Sequence, residues 1–276
     1  MLEPNVVQDH EIEQLIKDVH ELYGYDFSLY SRASFKRRVN RICLIDKFAS
    51  FAELRYKIVN EPEYLKHFIE EITVNVTEMF RDPHFFKALR ENILPQLGTY
   101  PLIRIWVAGC STGEEAYSVA ILLKEAGLYH KSLIYATDIN PSVLEIASSG
   151  IFPISQMKVY SENYILSGGK KDFSDYYTAN YDRVKFDQGL REKMILSTHN
   201  LVSDSSFNSF QLIICRNVLI YFDKKLQERV FHLFNDSLEN LGYLALGTKE
   251  TLRFSHLQNR YQQMEDQKIW KKADQK

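Results

Sequence analysis

Apolar positions in the first third of the chain recur at helical spacing. Ile12, Leu15, Ile16, Val19 and Leu22 stand at i, i+3 and i+4 steps, which predicts a helix that Gly24 can close. Phe35, Val39 and Ile42 mark a second stripe. Ser50 and Glu53 form the S-x-x-E of a capping box, and Pro62 suits the first turn of PEYLKHFIEEI. Near Leu102 the pattern changes. The short apolar runs IRIWVA, LIYAT, FQLIIC and YLALG alternate with the helix-length segments EEAYSVAILLKEAG, PSVLEIASSG and DKKLQERVFHLFNDSLEN. Such alternation predicts an α/β domain with a parallel sheet covered on both faces. Between Tyr164 and Asn200 it breaks into short pieces around a Gly189 turn, which predicts a small antiparallel insertion within or beside the main sheet. The expected organisation is an all-α N-terminal domain over 1–88 and an α/β domain over 89–276, with a small β-subdomain at about 164–198.

Composition adds mainly exclusions. The 276 residues carry a formal net charge of −2, so no whole-chain field points to nucleic acid or membrane. Cys43, Cys110 and Cys215 are odd in number and lack C-x-x-C spacing, so neither a zinc site nor a disulfide framework is expected. A reducing cytoplasm suits them. The opening MLEPNVVQDHEIEQ is acidic and has no apolar core, so it does not read as a signal peptide. No apolar run approaches the ~18 residues of a membrane span. His84 and His199 lack metal-ligand spacing and read as ordinary polar or capping residues.

The candidate chemistry begins at AGCSTGEEAYS. Gly109 and Gly113 follow the first predicted strand, where open parallel sheets bind ligands. Neither G-x-G-x-x-G nor G-x-x-x-x-G-K-[ST] is present, which argues against a dinucleotide fold and a P-loop. Two acids follow the turn, and Asp138 ends the second strand. An acid there can accept from both ribose hydroxyls. Glu115 at a helix start suits a ligand carrying a cation rather than a phosphate. S-adenosylmethionine has a ribose, an α-ammonium and a sulfonium, and no phosphate, so it matches better than NAD or ATP. The same residues also fit a plain βα turn, with Asp138 capping the helix near Pro141.

Three stretches in order, TVNVTEMFRD, AGCSTGEEAYS with ATDIN, and CRNVLIYFD, closely resemble the CheR-type chemotaxis receptor protein-glutamate O-methyltransferases. The resemblance runs from about Leu15 to Trp270. It implies a Rossmann-like methyltransferase sheet, S-adenosylmethionine as cofactor, no metal, and glutamates of chemoreceptor cytoplasmic helices as acceptors. By matching positions it implies that Asn75, Thr77 and Arg81 line the cofactor and active site. It implies that Glu115 and Asp138 hold the amino-acid end and the adenosine, with Asn200 and Leu201 beside the adenine. Gly109 lies in the cofactor turn, and Cys215 and Arg216 close over the cofactor. Tyr221 matches an active-site tyrosine near the transferred methyl, which with Arg81 makes the catalytic pair. Met79 replaces an aromatic of the pattern, and GTKE stands where G-H-S-E is usual, which leaves the role of that loop open.

The basic run RASFKRRVNRICLIDK sets Arg32, Lys36, Arg37, Arg38, Arg41 and Lys47 against one local acid, Asp46. Phe35, Val39 and Ile42 would bury one side and leave the cations outside. In relatives the helical domain meets glutamate-rich receptor helices, so Arg37, Arg38 and Arg41 are the candidate substrate-binding residues. In some relatives the β-subdomain docks a receptor C-terminal peptide, which makes such a peptide a candidate partner, although LSGGKKDFSDYY does not reproduce the loop of peptide-binding members. Two other readings remain: a same-fold methyltransferase with a non-chemotaxis acceptor, and a non-catalytic cofactor-binding scaffold.

Overall fold

The computed structural model describes residues 7–73, 76–264 and 268–274. The chain forms two compact units, Met1–Val74 with Leu219–Val230, and Asn75–Val218 with Phe231–Lys276.

The first unit is built from helices α1 (Asp9–Tyr23), α2 (Arg32–Ile45), α3 (Phe51–Asn60) and α4 (Pro62–Ile72). Helix α1 buries Ile12, Leu15, Ile16 and Val19, and the left-handed Gly24 (φ 78°) closes it. Leu22, expected in that stripe, is 52% exposed, because it falls at the stripe's margin on the last turn. Phe35, Val39 and Ile42 of α2 are buried and join Val19, Phe27, Leu54, Ile58 and Phe68 in one core. Ser50 caps α3 by accepting from the Glu53 amide at 3.3 Å. The reciprocal arm of the capping box lands one residue early, with Glu53 accepting from the Ala49 amide at 2.8 Å. Leu219–Val230 joins this unit through the Ser31 amide on the Tyr221 carbonyl at 2.8 Å and the Asp223 amide on the Leu29 carbonyl at 2.9 Å.

The second unit opens with α5 (Pro83–Ala88), a π turn (Leu89–Ile93) and α6 (Leu94–Leu97). The wide turn lies just before Pro95, whose ring would clash with the residue 91 carbonyl in a regular helix. Then follow β1 (Ile103–Ala108), α7 (Glu114–Glu125), β2 (Ser132–Asp138), α8 (Pro141–Ser149), β3 (Ile151–Pro153) and α9 (Met157–Leu166). Next come β4 (Tyr177–Asn180), β5 (Arg183–Phe186), β6 (Met194–Thr198) and β7 (Phe210–Cys215). Helix α10 (Lys224–Ser237) runs directly into β8 (Leu238–Leu246), followed by β9 (Tyr261–Gln263) and β10 (Ile269–Lys272).

The main sheet has the order β6-β2-β1-β7-β8-β10-β9. The pairs linking β6, β2, β1, β7 and β8 are parallel, while β10 runs antiparallel to β8 and β9. The sheet is therefore mixed rather than wholly parallel. Strands β2 and β7 lie on opposite sides of β1, which makes the carboxyl end of β1 the topological switch point. The small antiparallel sheet has the order β3-β5-β4. Its first strand precedes the 164–198 stretch, and its hairpin turns at Tyr181 (φ 52°). Strand β6, at the end of that stretch, pairs with β2 in the main sheet instead.

Candidate functional site

The loops after β1, β2, β6 and β7 converge on the switch point. Gly109 and Gly113 both have positive φ, 74° and 96°. Their lack of a side chain serves packing. A Cβ on Gly109 would overlap Val218 Cγ2, and one on Gly113 would meet Ala147 Cβ at 2.7 Å. The Gly109 and Cys110 amides both donate to the Thr137 carbonyl, at 2.8 and 2.9 Å, tying the first loop to the end of β2.

Asp138 ends β2. Its carboxylate accepts from the Ser111 amide at 2.9 Å and the Asn140 amide at 3.0 Å. Burial raises its pKa above the ordinary aspartate value, and those amide bonds oppose the rise. Asn140 caps α8 through its side-chain oxygen, so the capping role open for Asp138 belongs to Asn140.

Glu115 sits in the first turn of α7 and pairs with Arg216 at 2.5 Å. The same guanidinium reaches the Asp82 carboxylate at 2.6 Å and the Arg81 carbonyl at 2.9 Å. It stacks 4.1 Å from the centroid of Phe85. Arg216 is thus an ion-pair centre holding two acids, and its side chain is only 2% exposed. Two carboxylates on one guanidinium leave one negative charge over, at the positive end of a helix. Such a balance suits a cation. Asp82, next to Arg81 in the chain, is the second acid on Arg216. Arg81 donates to the Val76 carbonyl at 3.2 Å and has no ion pair among the described residues.

Backbone strain gathers here. Of the seven non-glycine residues with positive φ among the described residues, four are Phe80, Asp82, Ser111 and Asn217. Each is pinned by a side chain: Phe80 by Ser118 Oγ, Asp82 by Arg216, Ser111 by Asp138, and Asn217 by Glu250. Conformations of this kind cost about 1–3 kcal/mol and persist where the surroundings over-determine them, typically at functional sites.

Glu250 settles the part played by the GTKE loop. It is buried and accepts from the backbone amides of Gly247 (2.6 Å), Val218 (2.9 Å) and Asn217 (3.1 Å). It therefore clamps the turn that follows Arg216. Sequence reading missed Glu250 and Asp82 as site-building residues. The signal available was an acid at the end of each motif, EMFRD and GTKE. Glu114 is likewise buried, accepting from Thr112 Oγ1 at 2.6 Å and Tyr160 at 3.3 Å, and burial raises its pKa.

Unpartnered polar atoms mark the same region. Nine buried side-chain atoms lack a hydrogen bond among the described residues, and five belong to Ser111, Asn140, Ser142, His199 and Arg216. Four lie in the loops just after β1, β2, β6 and β7, and Ser142 lies in the first turn of α8. Buried polar groups are nearly always satisfied, so the cluster marks the place of a polar ligand. With Asp138 and the surplus charge at Glu115, the residues present fit a ribose and a cation.

Other nominated residues fall as follows. Thr77 is half-buried on the segment before Arg81, and Asn75 lies outside the described residues. Asn200 follows β6, takes the Val202 amide on its side chain at 2.9 Å and donates its own amide to Asp204 at 2.8 Å. Leu201 beside it is buried. Cys110 and Cys215 are buried, and burial pushes both thiols well above the ordinary value, which suits wall residues rather than nucleophiles. His199 packs 5.1 Å from Trp106, and no metal-ligand cluster occurs among the described residues.

Tyr221 belongs to the helical unit, 5.7 Å from the Arg38 guanidinium. The basic helix is less unopposed than its sequence suggests. Arg41 pairs with Glu71, Arg38 donates to the Glu71 carbonyl at 3.1 Å, and Lys36 pairs with Asp9 at 2.6 Å. The fold brings those acids from α1 and α4, out of reach of a local reading. Asp46, the one local acid, instead accepts from Tyr64 and His67. Arg37 remains exposed.

The CheR methyltransferase SAM-binding domain matches residues 75–269, and the CheR methyltransferase all-alpha domain matches residues 10–73. The protein named "Putative methyltransferase Cher3" from Pseudomonas putida is 44% identical over 266 residues, covering 96% of this chain and 97% of that one. A chemotaxis protein methyltransferase of Salmonella typhimurium is 34% identical over 230 residues, covering 81% and 76%. One of Listeria monocytogenes is 31% identical over 232 residues, covering 83% and 85%. With both domains matched in order along most of its length, the chain belongs to the CheR methyltransferase family.

Proposed function

We propose that this protein methylates glutamate side chains on the cytoplasmic helices of chemoreceptors, using S-adenosylmethionine and leaving glutamate methyl esters and S-adenosylhomocysteine. The observation that carries the reading is the charge balance at the switch point. Glu115 and Asp82 share Arg216, and Asp138, buried at the end of β2, has no cationic partner among the described residues. The relatives named chemotaxis protein methyltransferase support the acceptor class.

The cofactor, when bound, supplies a methyl on a positively charged sulfur. Glu115 keeps a second carboxylate oxygen for the α-ammonium, and Asp138 takes the ribose hydroxyls. Thr77, Asn200, Leu201, Cys215 and Arg216 form the remaining walls. A glutamate acceptor has an ordinary pKa of about 4.3, so it arrives as a carboxylate and needs no general base. The work left to the protein is placement, worth roughly 7–11 kcal/mol in favourable cases. Arg81, without an acid of its own, holds the incoming carboxylate by charge-assisted hydrogen bonds. Excluding water strengthens that hold.

On the helical unit, Arg37, Arg38 and Arg41 would meet the acidic receptor helix. The Arg41–Glu71 and Lys36–Asp9 pairs are exposed and hence cheap to exchange for receptor glutamates. The test is peptide mapping by mass spectrometry of a receptor cytoplasmic fragment after incubation with enzyme and cofactor. Methylation is expected on glutamates. Methylation confined to lysine or arginine would overturn the reading.

A further inference from the structure

We infer that Ser111 Oγ and Asn140 Nδ2 are two further contacts to the ribose hydroxyls, one on each side of Asp138. The inference rests on the cofactor reading proposed above. Both residues are one hydrogen bond from the same carboxylate: the Ser111 amide donates to Asp138 Oδ2 at 2.9 Å, and the Asn140 amide to Oδ1 at 3.0 Å. Ser111 is 7% exposed and Asn140 is 1% exposed. Neither Ser111 Oγ nor Asn140 Nδ2 has a hydrogen-bond partner among the described residues.

Local structure gives no reason for either atom. Ser111 occupies a left-handed conformation (φ 50°) that glycine would adopt at lower cost, as Gly109 and Gly113 do in the same loop. Its hydroxyl contributes nothing to the fold. Asn140 uses its side-chain oxygen to accept from the Ser142 amide at 2.9 Å, which fixes the rotamer and leaves the Nδ2 donor over. Serine would cap as well without burying an amide. Leaving such donors unmatched destabilises a fold. A vicinal diol resolves all of it. Each hydroxyl gives its proton to Asp138 and still has lone pairs to accept, and Ser111 and Asn140 stand on either side with donors. Asp138 alone could supply only acceptors.

The experiment is calorimetric titration of the full chain with S-adenosylhomocysteine and with methylthioadenosine, which keeps the ribose but lacks the amino-acid end. Wild type is compared with Ser111→Ala and Asn140→Ser, the latter retaining the cap. Each substitution is expected to weaken both ligands by the same factor, about five- to tenfold for one lost hydrogen bond. The ligand-free melting temperature is expected to hold or rise, since the deleted atoms bond nothing in the fold and their burial unpaired costs stability. Unchanged affinity in both variants would mean that the atoms hold water, and would overturn the inference. So would a loss confined to S-adenosylhomocysteine, which would place them at the amino-acid end. A wild-type chain that binds neither ligand would overturn the cofactor reading itself, and this inference with it.

Discussion

The two units use arginine in opposite ways. In the helical unit, Arg41 lies 58% exposed and meets Glu71 in an ion pair that solvent screens. At the end of the sheet, Arg216 is buried and holds Glu115, Asp82 and the Arg81 carbonyl at once. An exposed pair is worth about 0–1 kcal/mol and can be exchanged for a partner's charge. A buried centre has already lost its water, and removing one member leaves the other charges stranded. The first arrangement suits transient docking. The second suits a site whose geometry must not wander.

The contrast sets the order of expected effects. Arg216→Ala should cost roughly 3–5 kcal/mol in urea unfolding of the sheet unit, because the buried Glu115 and the half-buried Asp82 lose their partner. A loss below about 1 kcal/mol would place Arg216 with the exposed arginines and collapse the distinction. Arg81→Ala should leave S-adenosylhomocysteine affinity within about twofold and lower kcat by about a hundredfold, the penalty of a misplaced acceptor. Calorimetry and steady-state kinetics on the one variant separate the two readouts.

Asp138→Ala should weaken S-adenosylhomocysteine by about tenfold or more, since two charge-assisted acceptors are lost. Wild-type affinity measured by titration would remove Asp138 from the ribose. Its pH dependence has a definite sign. Burial raises the Asp138 pKa, so acid protonates it while ordinary carboxylates are still ionised. Affinity should therefore fall with falling pH, beginning above the usual carboxylate range. Ligand-free stability shifts the other way: the contribution of Asp138 is greatest in acid and is lost as pH rises through the folded pKa. Asp138→Asn should flatten both trends.

The smallest effects belong to the basic helix. Arg37→Ala and Arg41→Ala should each alter stability by less than about 1 kcal/mol. Their mark should be a few-fold rise in KM for a receptor fragment, largest at low salt, where screening is weakest. A KM that ignores ionic strength would remove α2 from the docking surface.

Legibility in the sequence followed the range of the interactions. IRIWVA and FQLIIC match β1 and β7 to the residue, because a continuous apolar run between turn residues is a local signal. The β9 strand YQQ has no apolar periodicity and is defined only by its pairing with β10. The helix broken by the π turn before Pro95 gave no clean stripe to read. Site acids announced themselves by type and place, as Glu115 and Asp138 did. Their partners did not. Arg216 stands 101 residues from Glu115, and Glu250 reaches back 33 residues to Asn217. The neutralising Glu71 is 30 residues from Arg41, so α2 looked more basic on paper than it is in the fold.

The most direct measurement uses methyl-labelled S-adenosylmethionine and a chemoreceptor cytoplasmic fragment, with the labelled product treated with alkali. A glutamate methyl ester releases its label as volatile methanol, whereas an N-methyl group keeps it. Base-labile label on the receptor with wild type, accumulating about a hundredfold more slowly with Arg81→Ala, is the expected result. Base-stable label, or no label from a protein that binds the cofactor, would contradict carboxylate methylation and direct the search to another acceptor.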